Sequence, residues 1–116
     1  MLRVTDVEQV KKAVRKLAAG RVLGGDSADV CLELEAMSGC QVHIAAGFGA
    51  LGKAPLATAH DRLIWILDGH LEVHTAEGAV TDLATGESTV LRGGVPYQLV
   101  CPKLTLYLRV EPGGAA

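Results

Sequence analysis

The sequence carries no excess of positive charge, no long apolar run and no paired-cysteine spacing, and each absence removes a class of function. Eleven Lys and Arg against thirteen Asp and Glu give a formal net charge of −2. No basic surface suited to nucleic-acid phosphates or anionic lipid is expected, and hence no nucleic-acid partner. No apolar stretch approaches the ~20 residues of a bilayer span, and the start Met1-Leu2-Arg3-Val4-Thr5-Asp6 lacks the apolar core of a secretory leader. No membrane association is therefore expected. Three cysteines, Cys31, Cys40 and Cys101, cannot all pair within one chain and show no CxxC spacing, which fits reduced thiols in a cytosolic compartment. Each reads as a small buried hydrophobe. Internal repeats, linkers and a second domain are also missing. The expectation is a soluble cytoplasmic protein of one domain.

What is present supports a folded core. Of 116 residues, 49% are hydrophobic and 21% charged, enough apolar material for one domain and too little charge for a disordered chain. Thr5-Asp6-Val7-Glu8 has the form of a capping box, and Val7, Val10, Val14 and Leu17 follow at helical spacing until Gly20. This predicts an amphipathic helix over about residues 6 to 19, with Lys11, Lys12, Arg15 and Lys16 on its solvated face.

After Gly24-Gly25 the pattern changes to short segments of period two: Val30–Met37, Cys40–Phe48, Leu56–Leu67, His70–Thr75, Ser88–Arg92, Tyr97–Cys101 and Leu104–Val110. Ser38-Gly39, Asp68-Gly69, Glu77-Gly78 and Thr85-Gly86 place glycine where tight turns need it. Many short strands at close spacing predict an all-β sandwich or barrel. The organisation expected is a helix and lead-in strand over 1–28, a β-barrel over 29–111 and a frayed tail over 112–116.

The segment from His60 through Asp68-Gly69 to Val73 resembles the first conserved motif of the cupin superfamily. Gly86, Arg92, Gly94, Tyr97 and Cys101 match the spacing of the second. The resemblance covers about half the chain and implies a small cupin-type jelly-roll barrel. In that family two histidines and a glutamate from the first motif, with a histidine from the second, hold a divalent metal. Counting back from Gly69, Arg62 stands at the glutamate position, and Leu56 and Thr58, or Pro55 and Ala57, at the histidine positions. Tyr97 stands at the last histidine. No metal and no cofactor is expected, because a guanidinium offers only donors, stays protonated, and repels a cation.

Strand alternation places Thr58, His60, Arg62, Ile64 and Ile66 on one face. If the family's metal positions point inward, that face lines the barrel, and Tyr97, Leu99 and Cys101 join it from a facing strand. Thr58, His60, Arg62, Tyr97 and Cys101 are the candidate ligand-binding residues, and their chemistry suits a small anionic or polar ligand. Three alternatives stand beside this. Arg62 pairs with Glu33 or Glu35 inside a plain core; His60 and Tyr97 act as base and acid of a metal-free isomerase or epimerase, with Arg62 stabilising the anion; or His60 joins His43, His70 or His74 in a displaced metal site. Leu63, Trp65 and Leu67 make the opposite face of the same strand apolar; it is covered either by the N-terminal helix or by a second subunit, and the homodimer, with Trp65 as its anchor, is the expectation, as the resemblance also implies.

Overall fold

Asp6 starts the helix. Its extended backbone and its carboxylate, which accepts from the N–H groups of Glu8 at 3.1 Å and Gln9 at 3.3 Å, cap α1 (Val7–Leu23). The cap is therefore Asp6 and not Thr5, the residue at which a capping box would begin. The structure, a computed structural model, describes residues 4–25, 27–37 and 39–112, apart from the side chains of 35–37 and 53–56. The expected tail beyond Pro112 lies outside the described residues.

The buried stripe of α1 is Val14 and Ala18, with Val10 and Val22 partly buried beside them, whereas Val7 and Leu17 are exposed. Residues four apart define the face, which corrects the expected stripe. Because Val22 still packs one turn beyond Ala18, the helix continues through Gly20, whose presence costs only about 1 kcal/mol, and ends at Gly24.

Among the described residues seven strands follow: β1 (Ala28–Met37), β2 (Cys40–Leu56), β3 (Arg62–Asp68), β4 (His70–Thr75), β5 (Val80–Ala84), β6 (Ser88–Leu91) and β7 (Tyr97–Pro112). Four of these depart from the periodic pattern, β2 by running on from the expected end at Phe48 to Leu56. The expected strand from Leu56 to Leu67 is broken, because Asp61 accepts from the backbone N–H of Gly93 at 2.8 Å and from Arg92 at 3.1 Å, and this ties the stretch before Arg62 to the turn between β6 and β7. The strand β5 went unseen because Leu83 is its only buried residue. The segments Tyr97–Cys101 and Leu104–Val110 are one strand.

All pairings are antiparallel, in the order β1-β2-β7-β3-β6, with β4 also joined to β7 and β5 to β4. The first part of β7 pairs with β4 and its later part with β3, while β2 follows it along both. Between these parts the register jumps, so that Gly49 faces Cys101 while Gly47 faces Thr105. Pro102, Lys103 and Leu104 stand against Phe48 alone, and this surplus of two residues lets the paired strands turn a corner from one layer of the barrel to the other. Pro102 is tolerated there because no ladder N–H is needed.

Two cores result, one on each side of β2 and β7. Ala45, Ile64, Ile66, Leu71, Val73, Leu99, Cys101 and Tyr107 fill the barrel; Ile44, Ala46, Ala28 and Leu106 meet Val14 and Ala18 of the helix outside it. Adjacent residues thus serve different cores, as a pleated strand requires.

Candidate functional site

Helix α1 covers the apolar parity of the strands beneath it, and so the polar parity faces the barrel. On β1 the helix takes Val30, Leu32 and Leu34, leaving Asp29, Cys31 and Glu33 for the other face. On β2 it takes Ile44 and Ala46 and leaves His43 and Ala45; on β7 it takes Leu106 and Leu108 and leaves Tyr107 and Arg109. His43 is paired directly with Arg109, and Arg109 with Ile64, two residues from Arg62. Paired residues in an antiparallel ladder share a face, so His43, Arg109, Ile64 and Arg62 occupy one wall.

A cavity of about 200 Å³ opens against this wall, lined by Asp29, Leu51, Gly52, Arg62, Ile64, Tyr97, Leu99, Tyr107 and Arg109. The Tyr107 hydroxyl donates to Asp29 Oδ1 at 3.0 Å. Arg109 donates to Cys31 Sγ at 3.3 Å, and its Nε lies 3.7 Å from Glu111 Oε1, too far for a hydrogen bond. Three buried side-chain nitrogens have no hydrogen-bond partner among the described residues: His43 Nδ1, Arg62 Nε and Arg109 Nε.

Burial also sets the protonation of the wall. It pushes the Tyr107 phenol well above its ordinary range, and the neighbouring Asp29 carboxylate adds to the effect. Burial works against the Arg109 charge, but Tyr107, Cys31, Glu111 and Asp29 outweigh it and hold its pKa above the usual value. Arg109 is a fixed cation.

Of the five residues expected to form the pocket, Arg62 and Tyr97 line the cavity, with Leu99 beside them. His60 and Thr58 do not line it. They precede β3, in the stretch held by Asp61, where strand alternation no longer applies; His60 is exposed, and Thr58 donates to the His60 carbonyl at 2.9 Å. Cys101 has the expected parity but sits too deep, wholly buried among Ile64, Ile66 and Tyr107, and burial pushes its thiol up to about 12. Cys31, expected to be buried, is exposed because β1 is an edge strand whose inner face stays open. All three thiols are free.

Arg62 makes no ion pair with Glu33 or any other described carboxylate; the side chain of Glu35 lies outside the described residues. The histidines fall in three places: His43 on the inner wall, His60 in the loop, and His70 and His74 on the outer face of β4. There His70 contacts Asp82 at 3.2 Å and His74 contacts Glu72 at 2.9 Å. Among the described residues the one set of three metal-ligating groups in mutual reach is His70, Glu72 and Asp82, on that outer face.

Asp29, Tyr107 and Arg109 were missed by sequence reasoning, and His43 was weighed only as a member of a displaced metal site. The signal was present: Thr105, Tyr107 and Arg109 alternate with Leu104, Leu106, Leu108 and Val110, but the apolar set was the natural choice for the barrel interior until the helix claimed it.

No family model matches the sequence, and no curated protein matches it. Solved structures match the fold. A cupin-2 domain containing protein from Shewanella frigidimarina is 14% identical over 87% of this chain and 98% of its own, with a TM-score of 0.68. The EutQ protein of Clostridium difficile is 14% identical over 78% of this chain and 72% of its own, with a TM-score of 0.68. A salicylate 1,2-dioxygenase from Pseudaminobacter salicylatoxidans is 14% identical over 89% of this chain and 32% of its own, with a TM-score of 0.70. No helix among the described residues is long and apolar enough to cross a membrane.

Proposed function

We propose that this chain, which has the cupin jelly-roll fold, binds a small anionic or polar ligand inside the barrel and holds no divalent metal there. The observation that carries this is the pair of buried guanidinium nitrogens without hydrogen-bond partners, Arg62 Nε and Arg109 Nε, on two residues that line one cavity. Each such group costs about 1–3 kcal/mol when left unsatisfied, a large share of the roughly 5–15 kcal/mol that holds a domain together. A ligand bringing acceptor oxygens removes that cost. The metal of the fold family does not fit the residues present. Arg62, a donor that stays protonated, lines the cavity, and among the described residues the three groups able to share an ion lie on the outer face of β4 and β5. An acid/base role for His60 finds no support in its exposed position outside the cavity.

Two measurements on the untagged, mildly dialysed protein test the proposal. Plasma mass spectrometry is expected to find zinc, iron, nickel, copper and manganese well below one equivalent, and calorimetric titration to find saturable binding among small carboxylates, sugars and phosphates. Metal near one equivalent per chain, or no binding across all three classes, would overturn it.

The same reading includes a homodimer. Trp65 is 45% exposed and Val90 40%, both on the outer face of β3 and β6, where Leu63 lies opposite Val90. A clustered apolar surface of this kind suits an isologous interface. Light scattering should give twice the chain mass at micromolar concentration; the mass of a single chain would remove the dimer.

A further inference from the structure

Resting on that reading, we infer that the ligand is a small hydroxy monocarboxylate, its carboxylate held by Arg62 and Arg109 and its hydroxyl by Asp29. The donors come first. Arg62 Nε and Arg109 Nε are buried and lack a hydrogen-bond partner, and both residues line the cavity. A carboxylate is the acceptor whose geometry a guanidinium matches best.

The charge of the ligand follows from the acids already present. Asp29 lines the same cavity, and Glu111 lies 3.7 Å from Arg109 Nε. These two carboxylates already offset much of the positive charge of the two arginines. A ligand with two negative charges, such as a phosphate dianion or a dicarboxylate, meets repulsion from Asp29 that a monoanion largely avoids. Asp29 accepts from Tyr107 through Oδ1, and its other oxygen has no hydrogen bond among the described residues. Asp29 is exposed, so water can meet that oxygen, and a ligand group that takes the place of the water must donate because a carboxylate only accepts. A hydroxyl on the ligand does so without adding charge.

Size and walls complete the description. A cavity of about 200 Å³ is close to seven water volumes at ~30 Å³ each, below the roughly 300 Å³ at which drug-sized sites begin. It suits a molecule on the order of seven non-hydrogen atoms. Leu51, Ile64 and Leu99 offer apolar surface for a short carbon chain.

Calorimetric titration of the full chain with four matched probes tests this: 2-hydroxybutyrate, butyrate, butane-1,2-diol and inorganic phosphate. The hydroxy acid is expected to bind about tenfold more tightly than butyrate, the scale of one hydrogen bond to a charged group, and the diol and phosphate more weakly than either acid. Asp29→Asn keeps an acceptor for Tyr107 but removes the negative charge. In that variant, with its melting temperature checked, the gap between hydroxybutyrate and butyrate should narrow and phosphate should gain affinity. Phosphate or the diol binding best, or butyrate equalling hydroxybutyrate, overturns this inference and leaves the barrel-ligand reading standing. If none of the four binds, the inference falls, and the reading falls with it only when sugars and other carboxylates also fail.

Discussion

Arg62→Met is expected to weaken ligand binding about 10- to 150-fold while leaving the melting temperature of the free protein unchanged or higher. The two effects separate because the Arg62 side chain forms no hydrogen bond or ion pair with the described residues, and its Nε is buried without a partner. Removing it leaves no opposite charge stranded and relieves an unsatisfied donor, a gain of up to about 1–3 kcal/mol in the empty protein. In the complex, the same change removes a charge-assisted bond of about 1.5–3 kcal/mol, or roughly 10- to 150-fold in affinity. Methionine fills most of the arginine stem, so lost packing adds little. Thermal melting with and without ligand reads both effects. A loss of about 3–5 kcal/mol in the empty protein is the signature of a broken buried ion pair, and would mean that Arg62 serves the core and not a ligand.

Gly69→Ala should be the most damaging small substitution in the chain. Gly69 has φ +126°, a conformation that L side chains rarely adopt, and a Cβ there would stand 2.5 Å from Thr105 Oγ1 and 2.9 Å from Thr105 Cα. No rotamer change relieves a collision with backbone. Thr105 itself is wholly buried, and its hydroxyl receives the His70 N–H at 3.1 Å and donates toward the carbonyls of His70 and Lys103, both at 2.9 Å. The turn between β3 and β4 is thereby fastened to the corner of β7. Backbone strain, a steric clash and a displaced buried hydroxyl together place the cost at about 4 kcal/mol or more, a fall of some 10 °C or more in melting temperature for a domain of this size. Thr105→Ala in the same chain should not rescue it, since the new methyl group would still press on the backbone of residue 105; a full rescue would show that the hydroxyl alone made the clash.

The fold was legible because its turns are written in glycine. Gly39, Gly69, Gly78 and Gly86, each placed in an expected turn, have φ between +83° and +126°, and period-two segments lie between them. What escaped was tertiary. β5 buries a single side chain and so carries no pattern, and Tyr97 to Pro112 read as two strands because a bulge at Pro102 hides a continuous one. In the site, Arg62 and Tyr97 were legible because each opens a strand whose parity the family resemblance fixed. His60 and Thr58 were not, because Asp61 holds that stretch out of the strand by its bond to the Gly93 N–H, with Arg92 as second partner. The same bonds, in that order, hold the Asp61 carboxyl below its usual range. Asp29, Tyr107 and Arg109 were hidden by a reversal of the usual rule: once the helix covers the apolar parity, polar residues face inward.

Synthesis from the N-terminus runs against this topology. β7 is the only described strand that joins β2, β3 and β4, yet it is translated after all of them. While Tyr97 to Pro112 remain within the ribosome, the hairpin of β1 and β2, the hairpin of β4 and β5, and the pair of β3 and β6 have no common neighbour, and their apolar faces have nothing to close upon. Gln41 must then find Glu111 across most of the chain. Such long-range pairings place folding on the millisecond-to-second scale, and nascent chains stalled before β7 should be open to protease and bound by chaperones. Of the described strands, the one synthesised after the other six is the one around which they assemble.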